Sequence, residues 1–150
     1  SQNIAHFGFS LLILSILFNN LFSNEIITNL RVGDTFESSK IKIIFESIDQ
    51  KNEQNYKSIT GSFSIQNSKG EIDKMLPELR IYNQPNIVTS EAYIKTTLIS
   101  DKFLVINLVQ NQDYFNVRYQ VKPLMIWIWL SVILISLGGL ISFFKKDYEK

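Results

Sequence analysis

The sequence contains no cysteine. Disulfides, thiolate metal sites and cysteine nucleophiles are therefore excluded. Histidine occurs once, at His6, inside the first apolar segment. Without a histidine in the polar part of the chain, neither an autonomous zinc site nor a Ser-His-Asp triad can be assembled there. Charge is missing from both ends: residues 1–24 carry none, and residues 124–144 are 21 consecutive uncharged residues. Basic residues are not in excess either. Residues 25–122 hold 12 basic and 12 acidic side chains, whereas a nucleic-acid surface needs a basic stripe. No Lys or Arg precedes the first apolar run, so the basic region that opens a signal peptide is lacking. A chain that starts at Ser1 in this way reads as the cut or processed end of a longer protein.

The two uncharged ends have the length that a bilayer core asks of a helix, about 20 residues. The first runs from Ile4 to Phe22, with Asn19 and Asn20 near its boundary. The second follows Pro123, whose missing N–H costs nothing at a helix start. It carries Trp127 and Trp129 in its first turns, as an interfacial aromatic belt does. Lys145 and Lys146 follow it at once and mark that end as cytoplasmic by the positive-inside rule. With two spans, both termini are then cytoplasmic. The organisation expected is a transmembrane helix over 1–24, a periplasmic domain over 25–122, a second transmembrane helix over 123–144 and a cytoplasmic tail over 145–150. Ser131, Gly138 and Ser142 are seven and then four residues apart and share a helix face. Small residues on one face let helices approach closely; the alternative is a lipid-facing helix with incidental small residues. Ala5 and Gly8, which flank His6, permit similar contact or leave room for a flat macrocycle.

Between the anchors the period changes to two. Phe115, Val117, Tyr119 and Val121 alternate with Asn116, Arg118 and Gln120, and Ile41, Ile43 and Phe45 with Lys40, Lys42 and Ile44. Such alternation marks half-buried strands. Gly33-Asp34, Asn67 to Gly70 and Gln110 to Asp113 supply turn chemistry. Seven or eight strands are predicted, near residues 26–32, 40–48, 56–66, 72–82, 92–99, 102–109 and 114–121, with an irregular loop over 83–86. The fold class is membrane α plus all-β: two transmembrane helices flanking a small periplasmic β-barrel or β-sandwich.

No catalytic constellation emerges. Glu71, Asp73 and Glu78 read as a solvated acidic face. Arg80, Tyr82 and Arg118 are candidate anion or partner contacts, with cross-strand surface pairing as the alternative. His6 lies 17 residues before Ser23, about 25 Å along a helix at 1.5 Å per residue, near the cytoplasmic boundary. It is either an interfacial imidazole among headgroups or a neutral ligand for haem iron.

The order of motifs resembles the CcmF family of cytochrome c-type biogenesis proteins, the haem lyase subunit, at its C-terminal region. The residues are Ala5-His6-Phe7-Gly8; Gly33-Asp34; Asn55-Tyr56 with Gly61 and Phe63; Pro77-Glu78-Leu79-Arg80-Ile81-Tyr82; and Ser90-Glu91-Ala92. Arg118, Lys122-Pro123-Leu124, Trp127-Ile128-Trp129 and Gly138-Gly139 complete the pattern. Leu79 and Ile126 depart from the family's usual lysine and arginine, so no propionate contact is carried over at those positions. The resemblance implies a module that works with CcmH, haem-loaded CcmE and apocytochrome c in attaching haem to cytochrome c in the bacterial inner membrane. It also implies a haem b held by two transmembrane histidines, with His6 as one axial ligand and its partner in an earlier helix outside this sequence. As an isolated chain the module is not expected to be catalytic. The competing function is a non-enzymatic, membrane-tethered β-domain that scaffolds a membrane complex.

Overall fold

The computed structural model describes residues 2–148, with side chains as far as Phe144. Lys145 and Lys146, on which the orientation of the chain was argued, lie outside the described side chains. The elements run α1 (Gln2–Phe22), β1 (Asn24–Leu30), β2 (Thr35–Glu37), β3 (Ile41–Asn52), β4 (Tyr56–Asn67), β5 (Ile72–Met75), β6 (Glu78–Tyr82), β7 (Ile87–Glu91), β8 (Tyr93–Thr96), β9 (Ser100–Leu108), β10 (Phe115–Pro123) and α2 (Met125–Tyr148). They form two compact units. One comprises residues 25–94 and 103–120; the other comprises the two helices and residues 95–102.

The first unit is a two-sheet sandwich. One sheet has the order β1-β10-β9-β8, the other β2-β3-β4-β6-β7, with β5 beside β4. The sheets remain open at their edges, so the architecture is a sandwich and not a barrel. The period-two pattern read from sequence is the burial pattern observed. Ile43, Phe45, Phe63, Leu104, Ile106 and Val117 are completely buried, and Ile65 and Tyr119 nearly so. Phe45 stacks on Phe63 with ring centroids 4.2 Å apart and meets Phe115 of the other sheet edge-on at 5.7 Å. Gly61 makes this packing feasible: a Cβ there would stand 2.7 Å from the Phe63 ring. The β3–β4 register shifts between Phe45 and Ser47, leaving Glu46 as the extra residue of a bulge. Its carboxylate accepts hydrogen bonds from Ser64 at 2.6 Å and Ser62 at 3.3 Å.

Four elements differ from the pattern predicted, one being the strand expected over 92–99, which ends at Thr96 and turns at Leu98 and Ile99 into β9. Residues 72–82 form two strands, because Pro77 has no N–H for the ladder. Both strands run beside β4, β5 along Phe63–Gln66 and β6 along Tyr56–Thr60. The Pro77 carbonyl spans the break by accepting the Gly61 N–H at 3.0 Å. Residues 83–86 are the expected turn, but β7 follows them as an edge strand, half exposed on both faces. Its sequence lacks alternation because neither face is fully covered. β2 has three residues, too few to show a period.

In the second unit α1 and α2 pack antiparallel through small residues. A Cβ on Gly138 would stand 2.7 Å from the Ala5 nitrogen, and one on Gly8 3.0 Å from that of Ile135. At the other end, the Asn19 side-chain amide donates to the Pro123 carbonyl at 2.7 Å. Ser15 and Ser131 are buried between these contacts. Ser142, expected on the same face, is exposed: it lies one turn beyond Gly138, where α1 has almost run out. Ala5 and Gly8 are thus taken up by α2 and leave no room of their own for a macrocycle. Both helices are long and apolar enough to cross a bilayer, and only 11% of each apolar window is buried.

Candidate functional site

The sandwich concentrates its polar chemistry on the outer face of β4, β6 and β7. Leu79 of β6 points into the core, completely buried. Alternation therefore turns Glu78, Arg80 and Tyr82 outward. Register does the rest: Arg80 lies between Ser58 and Thr89, Tyr82 between Tyr56 and Ile87, and Glu78 between Thr60 and Glu91. The Arg80 guanidinium donates to Glu78 Oε2 at 3.0 Å and has Glu91 Oε1 at 3.8 Å. It stands 5.2 Å from the centre of the Tyr56 ring, which is tilted against Tyr82 at 5.3 Å. The Ser58 hydroxyl donates to Glu78 Oε1 at 2.6 Å. The Arg80 hydrogen bond, then that of Ser58, holds the Glu78 carboxyl below the usual carboxylate range. The same carboxylate, with Tyr82, pushes the Arg80 pKa up.

Two carboxylates thus surround one guanidinium, and Arg80 is locked as a cation within internal pairs. Arg80 Nε and Thr89 Oγ1 are buried without a hydrogen-bond partner, and the two residues are opposite one another in the register. Both atoms are enclosed by their neighbours and not open to the surface; what the face presents outward is the guanidinium edge and the two tyrosine rings. The arrangement suits docking.

Arg80 and Tyr82 come together as the sequence placed them, whereas Arg118 stands apart on β10 of the other sheet. It pairs with Glu25, which also accepts from Gln120 at 2.9 Å. Ser58 and Thr89 were not singled out from sequence, and Tyr56 and Glu91 entered only as motif residues of the resemblance, with no role at a site. The outward triplet Glu78, Arg80 and Tyr82 was visible as an alternating run, but which strands flank it is a matter of register. Glu71 and Asp73 lie at β5, apart from Glu78: Glu71 accepts from Asn67 at 2.8 Å in the β4–β5 turn. A groove of about 520 Å³ between Val88, Ser90, Asn107 and Leu108 is lined by no titratable side chain. Among the described residues, no three His, Cys, Asp or Glu side chains gather as a metal site.

His6 lies on α1 between Ala5 and Gly8 in sequence but off the face that packs on α2, and its side chain is exposed. The Ser10 hydroxyl donates to the His6 carbonyl at 3.0 Å. Phe9 and Ile13, three and seven residues further along the helix, are apolar and 56% and 45% exposed. His6 is the single imidazole of the sequence.

Known proteins share this fold. The family described as the CcmF C-terminal beta-sandwich matches residues 21–123. The chain is 26% identical over 148 residues to the cytochrome c-type biogenesis protein CcmF of Pseudomonas aeruginosa, covering 99% of this chain and 22% of that protein. To CcmF of Haemophilus influenzae it is 28% identical over 148 residues, covering 97% and 22%. The solved structure of the cytochrome c haem lyase CcmF superposes with a TM-score of 0.70 at 18% identity, over 91% of this chain and 23% of that one; this likeness establishes the fold. The chain spans less than a quarter of the length of these relatives. Because the family match takes in the sandwich and the relatives align through both helices, the chain belongs to the CcmF family and corresponds to its C-terminal region.

Proposed function

We propose that the chain is the C-terminal module of a cytochrome c maturation haem lyase subunit. In this reading α1 and α2 cross the bacterial inner membrane and the sandwich stands in the periplasm. His6 would hold the iron of a haem b, together with a histidine outside this chain. The observation that carries the reading is the exposure of His6 on an apolar helix whose opposite side is braced by α2. An ionisable side chain in an apolar span is costly and usually functional, and neutral imidazole is a common haem ligand. Bound haem would supply a redox-active iron. The chain's own part is to hold a ring nitrogen at a fixed depth. His6 lies 16 residues before Phe22, about 24 Å along the helix, close to the far membrane boundary.

The sandwich is the docking domain, for CcmH, haem-loaded CcmE and apocytochrome c. What supports this is the Arg80–Tyr82–Tyr56 face, together with the ion-paired Arg118 on the other sheet. His6→Ala in the complete protein is expected to lose the low-spin b-type absorption bands and to lower the yield of cytochrome c. The same substitution in residues 1–150 alone should leave folding unaltered, since the side chain is exposed. An unchanged haem spectrum in the complete protein would reject the ligand assignment, and the module would then be a membrane-tethered scaffold.

A further inference from the structure

We propose that the tip of the β8–β9 hairpin, Leu98 and Ile99, is a third membrane contact, a wedge that enters the bilayer interface beside the start of α2. The proposal rests on the membrane-spanning reading of α1 and α2. Hairpin turns ordinarily carry Gly, Asn, Asp or Ser. This one carries two branched aliphatic side chains, Leu98 and Ile99, which are 69% and 74% exposed. Ile99 is the most exposed large apolar side chain among the described residues.

The tip is fixed to the helix that follows the sandwich. The Trp127 indole N–H donates to the Leu98 carbonyl at 2.8 Å, and the Leu124 N–H to the Ile99 carbonyl at 2.8 Å. Leu124 holds φ at 57°, a left-handed conformation unfavourable for a residue with a branched side chain. This conformation turns β10 into α2 while the Leu124 N–H reaches the hairpin. Asn19 of α1 bonds to Pro123 at the same junction, so the end of α1, the start of α2 and the hairpin tip share one level. That is the level of the Trp127 and Trp129 indoles, which favour the zone between headgroups and acyl chains.

The tip is also prepared for a medium of low polarity, where backbone groups must find partners within the protein. Besides the two carbonyls capped by α2, the Thr97 N–H and hydroxyl bond to the Ser100 carbonyl at 3.0 and 2.7 Å. The Ser100 N–H returns to the Thr97 hydroxyl at 3.0 Å. An interfacial lipid layer satisfies all of these features at once. A covering protein helix would explain the exposed side chains, but not the Trp127 and Trp129 indoles beside them.

The absence of cysteine in the chain makes the test direct. Single cysteines at Leu98 and Ile99, in the complete protein with cysteines elsewhere removed, are spin-labelled in vesicles of phosphatidylethanolamine and phosphatidylglycerol. Collision with oxygen, which concentrates in lipid, is compared with collision with a water-soluble nickel chelate. Labels at Ile13 and Ile133 test the membrane reading of the helices; labels at Ser68 and Gln84 mark water. The expected result is oxygen-dominated relaxation at 98 and 99, as at 13 and 133, with nickel dominating at 68 and 84. Nickel dominance at 98 and 99 with oxygen dominance at 13 and 133 overturns the wedge alone. Shielding of 98 and 99 from both reagents also overturns it, in favour of a protein partner. Nickel dominance at 13 and 133 overturns the membrane reading itself.

Discussion

Tyr119 on β10 is 4% exposed, and its hydroxyl ties the stability of the sandwich to alkaline pH. Burial, and then the charge of Asp73, push its pKa from 10.0 to about 12. The folded state therefore keeps a proton that the unfolded chain gives up at lower pH. By linkage, the stability this proton contributes is complete below pH 10 and is lost as pH rises toward 12. Tyr119→Phe should flatten the fall in thermal midpoint across that interval while leaving the midpoint at pH 7 within a few degrees. An alkaline fall as steep as that of the natural sequence would mean that another group governs it. Glu46 and Glu78 work in the opposite direction. Hydrogen bonds from Ser64 to Glu46 and from Arg80 to Glu78 lower both carboxyl pKa values. Their contributions are present above the ordinary carboxylate pKa and fade as pH falls below it. Both groups are solvated, so screening keeps each contribution small.

At the scale of the element, the helix pair depends on what its glycines lack. Lipid tails are as apolar as leucine, so helices in a bilayer gain little from hiding apolar surface and associate through close packing. Gly138 faces Ala5, and a Cβ at that position already falls 2.8 Å from the Ala5 Cβ. Gly138→Leu is expected to force the helices apart and to destabilise the pair by about 1–3 kcal/mol, the usual range for overpacking. It should appear as a lower thermal midpoint in detergent and as lost cross-linking between cysteines on α1 and α2. Gly139→Leu is the control, since nothing lies within 4 Å of a Cβ there. Equal behaviour of the two variants would mean that the crossing does not need the small residue. β5 and β6 make a similar point for strands. One proline divides a run that reads as continuous, yet both pieces stay on β4 because β4 has 12 residues of ladder to offer.

For the molecule as a whole, the orientation in the membrane is the property with the widest consequences. If the sandwich is periplasmic, it meets proteins that carry haem and apocytochrome; if not, the docking role fails. The β4–β5 turn, Asn67 to Gly70, is exposed and tolerant by position. Asn67 Oδ1 accepts the Lys69 and Glu71 N–H groups there at 3.0 Å. An alkaline phosphatase domain inserted in that turn should be active, and a fluorescent protein that matures only in the cytoplasm should be dark. The converse pair of signals would reverse the orientation and, with it, the assignment of partners.

Length and spacing in the sequence were enough to define the apolar helices, most strands of the sandwich and the choice of Gly138 as a contact residue. A helix of about 20 uncharged residues and a strand with one wet face each leave a local periodic signature, and the motifs from Ala5 to Gly139 carried the family. The edge strands β2 and β7 left none, since a strand of three residues, or one exposed on both faces, has no period to detect. The distinction between barrel and sandwich was not legible, because closure depends on which strands meet at the edges. The Arg80 cluster draws Ser58 from 22 residues before it and Glu91 from 11 after it, and only register brings them together. For the same reason the aliphatic tip of the β8–β9 hairpin had no meaning along the chain. It gained one when folding bonded Leu98 and Ile99 to the first turn of α2, because backbone hydrogen bonds between distant segments are set by tertiary geometry and not by local sequence.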